Sequence, residues 1–205
     1  MNPITTMIML KNESIDYSLL GKSREYYYAA GFESIEVPWI VPVEISRITS
    51  PGEHNEFKSD GGVLVASAEQ SFLQLLNDNK LHINTRYQAI TPCFRKEPED
   101  ELHSQCFMKL ELFNYYNMVD KTDIFERFII NELNETVNIA LKFFKDQMSY
   151  FSRKNLEIIT TGNLSYDINY DGVEIGSYGI RSNINYMWVY GTGLALPRFS
   201  YVVKK

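Results

Sequence analysis

The sequence predicts an α+β domain, and three features carry that prediction. Two alternating runs face each other across a charged loop between Ile90 and Phe113. A long helical pattern with a single apolar stripe begins at Asp123 and reaches Phe144. Residues 156–190 then break into short strands joined by turn signals, the pattern of an antiparallel sheet whose back the long helix covers.

Composition bounds the rest. A chain of 205 residues suits one compact domain, residues 1–205, burying roughly 70–75% of the surface its unfolded form exposes. Hydrophobic residues at 44% and aromatics at 14% are ample for a core. Cys93 and Cys106 lie in the paired runs, where they can approach one another; two thiols make no disulfide framework, and core thiols are the better account than a zinc site with His103. The N-terminal stretch lacks the basic start and apolar core of a signal peptide, and no apolar run approaches about 18 residues, so a cytoplasmic protein without a membrane partner is expected. The formal charge of −6 and the lack of a basic stripe argue against nucleic acid as the main partner.

In chain order, Asn12 or Ser14 can cap a helix running to about Ala30, closed by Gly31 in a left-handed conformation. Phe32 to Val41 reads as a strand with Ile35, Val37 and Trp39 on one face, and Pro38 demotes it to an edge or interface position. Residues 46–62 read as a polar, turn-rich connection long enough to be a mobile loop, with His54 as a solvated member. Ser67 and Gln70 form a capping box that opens a helix with Phe72, Leu73 and Leu76 inward. The long helix carries Phe125, Phe128, Ile129, Leu133, Val137, Leu141 and Phe144 as its stripe. Leu156 to Thr160 is a strand. Leu164 to Tyr170 and Val173 to Arg181 form a hairpin about Asp171-Gly172, with Glu174 opposite Asn169 and on the face of Gly176. Asn183 to Tyr190 alternates Ile184, Tyr186, Trp188 and Tyr190 as a final strand, followed by a glycine-rich segment and Arg198.

The chemistry concentrates in the hairpin. Alternation sets Arg95 and Glu97 on one face of the first run, and Phe107, Lys109, Glu111 and Phe113 on one face of the second, against an apolar stripe of Cys106, Met108, Leu110 and Leu112. A guanidinium holds a phosphate through paired hydrogen bonds, a carboxylate accepts from an exocyclic amine, and an aromatic face stacks on a base. A solvated amphipathic hairpin would show the same alternation, so the spacing of the functional groups is what adds weight.

That spacing, Arg95-x-Glu97, a short loop, then His103-x-x-x-Phe107, resembles motif 2 of the class II aminoacyl-tRNA synthetases. The resemblance implies that Arg95 grips the α-phosphate of ATP, Glu97 meets the adenine amine, His103 contacts the distal phosphate and Phe107 stacks on adenine. The segment GFESIEVPWIVP, after its helix, looks like motif 1, which implies a homodimer through residues 12–43. VASAEQSFLQLL resembles the stretch between motifs 1 and 2, implying that Glu69 holds a substrate ammonium, with helix capping an equal account of Ser67 and Gln70. Glu174-Ile-Gly-Ser-Tyr-Gly-Ile-Arg181 looks like the strand before motif 3 in the aspartyl, asparaginyl and lysyl subgroup and in ammonia-dependent asparagine synthetase. By that likeness Glu174 helps to hold Mg2+, Gly176 leaves room for substrate, and Arg181 meets a substrate carboxylate or phosphate, with Glu111 a further group on the amino-acid side. A glycine pair followed by Arg198 resembles motif 3, implying a γ-phosphate contact, although Pro197 stands where an acidic residue is usual and the few residues beyond Arg198 would buttress it poorly.

Together the resemblances imply a mostly antiparallel sheet of six to seven strands flanked by helices, in a class II synthetase-like catalytic domain with no anticodon-binding domain. The implied chemistry is magnesium-assisted activation of an amino-acid carboxylate by ATP, with Arg95 and Arg198 as the catalytic cations. tRNA is the family's acceptor, but the acidic loop from Lys96 to Glu101 would repel its phosphates. An asparagine synthetase-like ligase and a non-catalytic dimeric binding module are the alternatives.

Overall fold

The computed structural model describes residues 15–50, 56–118, 123–148 and 152–204. Asn12, Ser14 and His54 lie outside them. The elements in order are α1 (Tyr17–Ala29), β1 (Glu33–Ser34), β2 (Ile40–Val41), α2 (Val43–Thr49), β3 (Lys58–Ser59), β4 (Gly62–Leu64), α3 (Ala68–Asn77), β5 (Arg86–Phe94), β6 (Cys106–Asn117), α4 (Asp123–Asp146), β7 (Leu156–Gly162), β8 (Ser165–Tyr170), β9 (Val173–Ser182), β10 (Tyr186–Leu196) and α5 (Arg198–Lys204). Seven strands form one sheet in the order β1-β5-β6-β10-β9-β8-β7, antiparallel throughout except where β1 runs parallel to β5; β2, β4 and β3 form a second, smaller sheet.

The fold class is the one expected, and several local readings change. α1 is capped by Asp16, whose carboxylate accepts from Leu19 N–H at 2.9 Å, and it closes at Gly31 with φ +93°. The single strand read over Phe32 to Val41 is two short ladders in different sheets, because Pro38 separates residues that pair with β5 from residues that pair with β4. Residues 46–62 are no continuous loop: their first residues belong to α2, and β3 and β4 form a hairpin beyond it. β10 also outlasts its expected end at Tyr190 and runs through the glycines to Leu196.

Strand β6 divides the molecule. Leu110, Leu112 and Tyr116 face the main core, which α1, α4 and α5 close with Tyr27, Leu133, Phe143, Phe144 and Phe199. Phe113 and Tyr115 point the other way, into a second core with Phe72, Leu76, Val63 and Trp188; Phe72 and Phe113 stack with centroids 4.8 Å apart. That second layer of α2, α3 and the small sheet covers only one end of the face, so Phe107 and Lys109 at the other end border open space. The two thiols fall on opposite faces, since Cys93 pairs with Phe107 and Cys106 with Phe94, and both are free. Burial pushes the Cys93 thiol up to about 12.

Two bulges break the strict alternation. Thr192 pairs with Glu111 and Leu194 with Leu110, leaving Gly193 as the extra residue in β10. A Cβ on Gly193 would lie 2.3 Å from Leu110 Cδ2 and 2.8 Å from Tyr27 Cε2, while the Tyr27 hydroxyl donates to the Gly193 carbonyl at 2.8 Å. Among the described residues no helix is long and apolar enough to cross a membrane. Replacing Tyr27 with Phe strands that buried carbonyl, and urea denaturation is expected to show a loss of about 1–2 kcal/mol in unfolding free energy.

Candidate active site

The second bulge shapes the cleft wall. Ile168 pairs with Gly176 and Asn169 with Glu174, so Ile175 is the extra residue in β9. The expected pairing of Glu174 with Asn169 holds, but the expected shared face with Gly176 does not. Glu174 and Ser177 line the cleft. Gly176 instead meets the Tyr178 ring, where an added Cβ would lie 2.5 Å from the hydroxyl, and Tyr178 is buried in the main core. Room for substrate is therefore not what Gly176 provides; it makes room for Tyr178.

The cleft has a volume of about 540 Å3, within the range of small-molecule sites. Its walls bring together Arg95, Glu97, His103, Phe107, Glu174 and Arg198, from segments distant in the chain. Arg95 sits one residue beyond β5, where its N–H continues the ladder to the Gln105 carbonyl at 2.9 Å. Its guanidinium carbon lies 5.2 Å from the centre of the Phe107 ring, and its Nε donates to the Ala66 carbonyl at 3.3 Å.

The loop over this end is ordered by its own acids. Asp100 accepts from the Leu102 and His103 N–H groups at 2.7 and 2.8 Å, and His103 Nδ1 lies 2.7 Å from its other oxygen. The His103 ring bond and then the Leu102 N–H hold the Asp100 carboxyl down at about 2. His103 is thereby oriented from within the loop. Arg198 Nε donates to the Leu102 carbonyl at 3.2 Å, its Nη1 stands 3.7 Å from Glu174, and the Tyr201 hydroxyl donates to Glu101 at 2.8 Å. The expectation that Arg198 is poorly buttressed fails here. The residues after Pro197 form α5, and Phe199 and Val202 anchor it in the core, with Phe199 against Phe144 at 5.3 Å.

Glu69, Glu111 and Arg181 also meet, deeper in the same face. Both carboxylates are only 5% exposed. Ser67, the N-cap of α3, donates to Glu111 at 2.8 Å, the Glu69 N–H donates to it at 3.3 Å, and Lys109 Nζ donates to it at 2.6 Å. Ser67 also accepts from Glu69 N–H at 3.2 Å, so its capping reading holds; Gln70 accepts from Ala66 N–H at 2.8 Å, one residue ahead of the cap, and donates to Ser46, so it fastens the entry to α3 without closing a capping box. Glu69 is paired with Arg181 and accepts from the Trp188 indole at 2.7 Å. Burial pushes the Glu69 carboxyl up, against the opposing pull of Arg181 and Trp188. Arg181 in turn lies 4.3 Å from the centre of the Tyr190 ring.

Sequence reasoning had not singled out Lys109, Ser177, Trp188 or Tyr190 for this site. Alternation had set Lys109 beside Phe107 and Glu111, which was a usable signal. Trp188 and Tyr190 read only as strand residues, because Glu69 lies 119 positions from Trp188 in the chain and the β9–β10 register that sets Tyr190 beside Arg181 leaves no mark in the periodicity.

No protein-family model matches the sequence, and no curated protein matches it. The fold, by contrast, has clear neighbours. Pyrrolysyl-tRNA synthetase from Desulfitobacterium hafniense superposes with a TM-score of 0.68 and 18% identity, over 92% of this chain and 69% of that one. Seryl-tRNA synthetase from Pyrococcus horikoshii, complexed with ATP, gives 0.70 and 18%, over 91% of this chain and 49% of that one. Cytoplasmic serine-tRNA ligase from Naegleria fowleri, in complex with AMP, gives 0.66 and 14%, over 91% and 47%. At such identities the likeness speaks to architecture, and the architecture is that of the class II aminoacyl-tRNA synthetase catalytic core.

Proposed function

We propose that this chain is a ligase domain that uses ATP to activate an amino-acid carboxylate as the acyl-adenylate. The observation that carries the reading is the convergence of Arg95, Glu97, His103, Phe107, Glu174 and Arg198 on one cleft of nucleotide size. A carboxylate oxygen attacks the α-phosphorus, a C–O–P linkage forms, the bond to the β-phosphate breaks, and pyrophosphate leaves. No protein nucleophile is required, so the site acts by positioning and by neutralising charge.

Arg95 takes the α-phosphate, which moves its guanidinium off Phe107 and frees that ring for adenine. Glu97 accepts from the adenine amine. His103 and Arg198 hold the distal phosphates, and Arg198 does so from a helix fastened into the core. Glu174 would hold magnesium. Its carboxylate lines the cleft 3.7 Å from Arg198, and substrate phosphates and water would supply the remaining ligands. When bound, magnesium supplies further neutralisation of phosphate charge. Glu69, Glu111 and Arg181 form the amino-acid side.

Two observations favour ammonia over tRNA as the acceptor of the acyl group, which it would take as an amide with AMP leaving. Glu97, Asp100 and Glu101 crowd the cleft mouth, where they would repel a polynucleotide. The strand from Glu174 to Arg181 resembles its counterpart in ammonia-dependent asparagine synthetase and in the aspartyl, asparaginyl and lysyl subgroup. A non-catalytic paralogue loses part of its rationale once Arg198 is well supported. The substrates are those of the cytoplasm. Residues 12–43 would provide the homodimer contact, with Tyr28, Trp39 and Ile40 exposed there; Trp39 is 54% exposed.

Calorimetry with ATP and magnesium is expected to show binding that Arg95→Ala and Phe107→Ala each weaken by about 1–3 kcal/mol; a protein that binds no ATP would refute the reading. For the acceptor, aspartate, ATP and ammonium should yield asparagine, and labelled amino acid appearing on tRNA instead would reverse that choice. In sedimentation velocity the wild-type chain should run as a dimer and Trp39→Asp as a monomer.

A further inference from the structure

Strand β7 is an open end of the main sheet. Among the described residues it pairs with β8 alone, and six of its seven residues are exposed, so both of its faces meet solvent. The opposite edge, β1, is two residues long, as are the outer strands β2 and β3 of the small sheet. Edges that short offer little to another chain. β7 is longer and lacks the usual protection: LEIITTG contains no proline and no lysine, and Glu157 is its one charged residue.

The phase of the ladder fixes which backbone groups turn outward. The Asp171 N–H donates to the Asn155 carbonyl at 3.2 Å, so Asn155, Glu157 and Ile159 direct their backbone groups toward β8, while Ile158 and Thr160 direct theirs away from the sheet. A row of alternating donors and acceptors at strand spacing is matched by another extended polypeptide.

The side chains narrow its composition. Glu157 pairs with Asn169 and Ile159 with Asp167, which pairs in turn with Ser177 at the cleft. Glu157, Ile159 and Asp167 therefore share the cleft side of the sheet, and neither β7 nor β8 carries a cation. Ile158 lies on the other side, opposite the buried Ile168, and is 43% exposed. A chain laid along β7 meets carboxylates on one side and aliphatic surface on the other.

We infer that β7 is a docking edge for an extended segment of a partner protein whose residues alternate basic and apolar, the basic side chain facing Glu157 and the apolar one covering Ile158. The added strand bonds to the Ile158 and Thr160 backbone, and the bulge at Thr161 ends the pairing. It stands three strand spacings, about 14 Å, from β9, so it borders the open side of the cleft without entering it. Docking is therefore independent of the adenylate-forming reading.

The test is selection from a phage-displayed library of random peptides on the full chain, with the enriched peptide then synthesised and titrated by calorimetry. Enriched peptides are expected to alternate lysine or arginine with valine, isoleucine or leucine. Ile158→Pro removes a donor that faces away from β8, so the hairpin keeps its ladder, and it should weaken the peptide about tenfold or more. Glu157→Lys, at an exposed position, should weaken it to a similar degree, whereas Ile158→Val should leave affinity within about twofold. All three variants should unfold near the wild-type temperature; if the proline variant does not fold, Glu157→Lys carries the comparison. No enriched peptide, or one that binds Glu157→Lys and the folded variants as tightly as wild type, overturns the proposal. So does a wild-type chain that passes from dimer to tetramer with concentration in sedimentation while Glu157→Lys or Ile158→Pro stays dimeric, because the edge then belongs to a second copy.

Discussion

The alternation of one strand, β6, underlies the rest of the structure. Its apolar side is committed to the core beneath α4, and that commitment sets the register of Phe107, Lys109 and Glu111 on the other side. A slip of one residue would bury the charges and expose Leu110 and Leu112, so the free energy of the core also maintains the geometry of the cleft. The cleft is open only because the second layer stops short. Phe113 lies under Phe72, whereas Phe107, three pleats away on the same face, borders the cleft.

Bulges at Gly193 and Ile175 then re-aim the partner strands. The first keeps Thr192 beside Glu111 while returning Leu194 and Leu196 to the core, and the second turns Glu174 toward the cleft while Ile175 stays buried. Without these shifts β9 and β10 could not supply both a hydrophobic floor and a polar wall over so few residues.

The inner charges are held for geometry more than for stability. Buried ion pairs recover little net free energy after desolvation, yet removing one partner is costly. Glu69 and Glu111 are each satisfied by a cation and by neutral donors, from Ser67 and the start of α3 in one case and from Trp188 in the other. At the opposite end of the strands Arg86 binds both Glu132 and Glu135 of α4, and Glu132 also accepts from Asn114 and Tyr116, which fixes the helix to the sheet away from the cleft.

Local signals in the sequence determined the antiparallel class, the helix capped by Ser67, the Asp171-Gly172 hairpin, the apolar stripe of the long helix and the alternation that set Arg95, Glu97 and Phe107 near one another. Each depends on residues a few positions apart, where the backbone period does the work. What only the tertiary structure decided depends on pairing between distant segments: the division of residues 32–41 between two sheets, the face of Glu174 and Gly176, the anchoring of α5 behind Arg198, and the enclosure of Glu69 by Arg181 and Trp188. A single inserted residue in a strand reverses every later side chain, and no periodicity reveals it in advance. Whether a buried carboxylate is paired depends on packing contributed by strands more than 100 residues away.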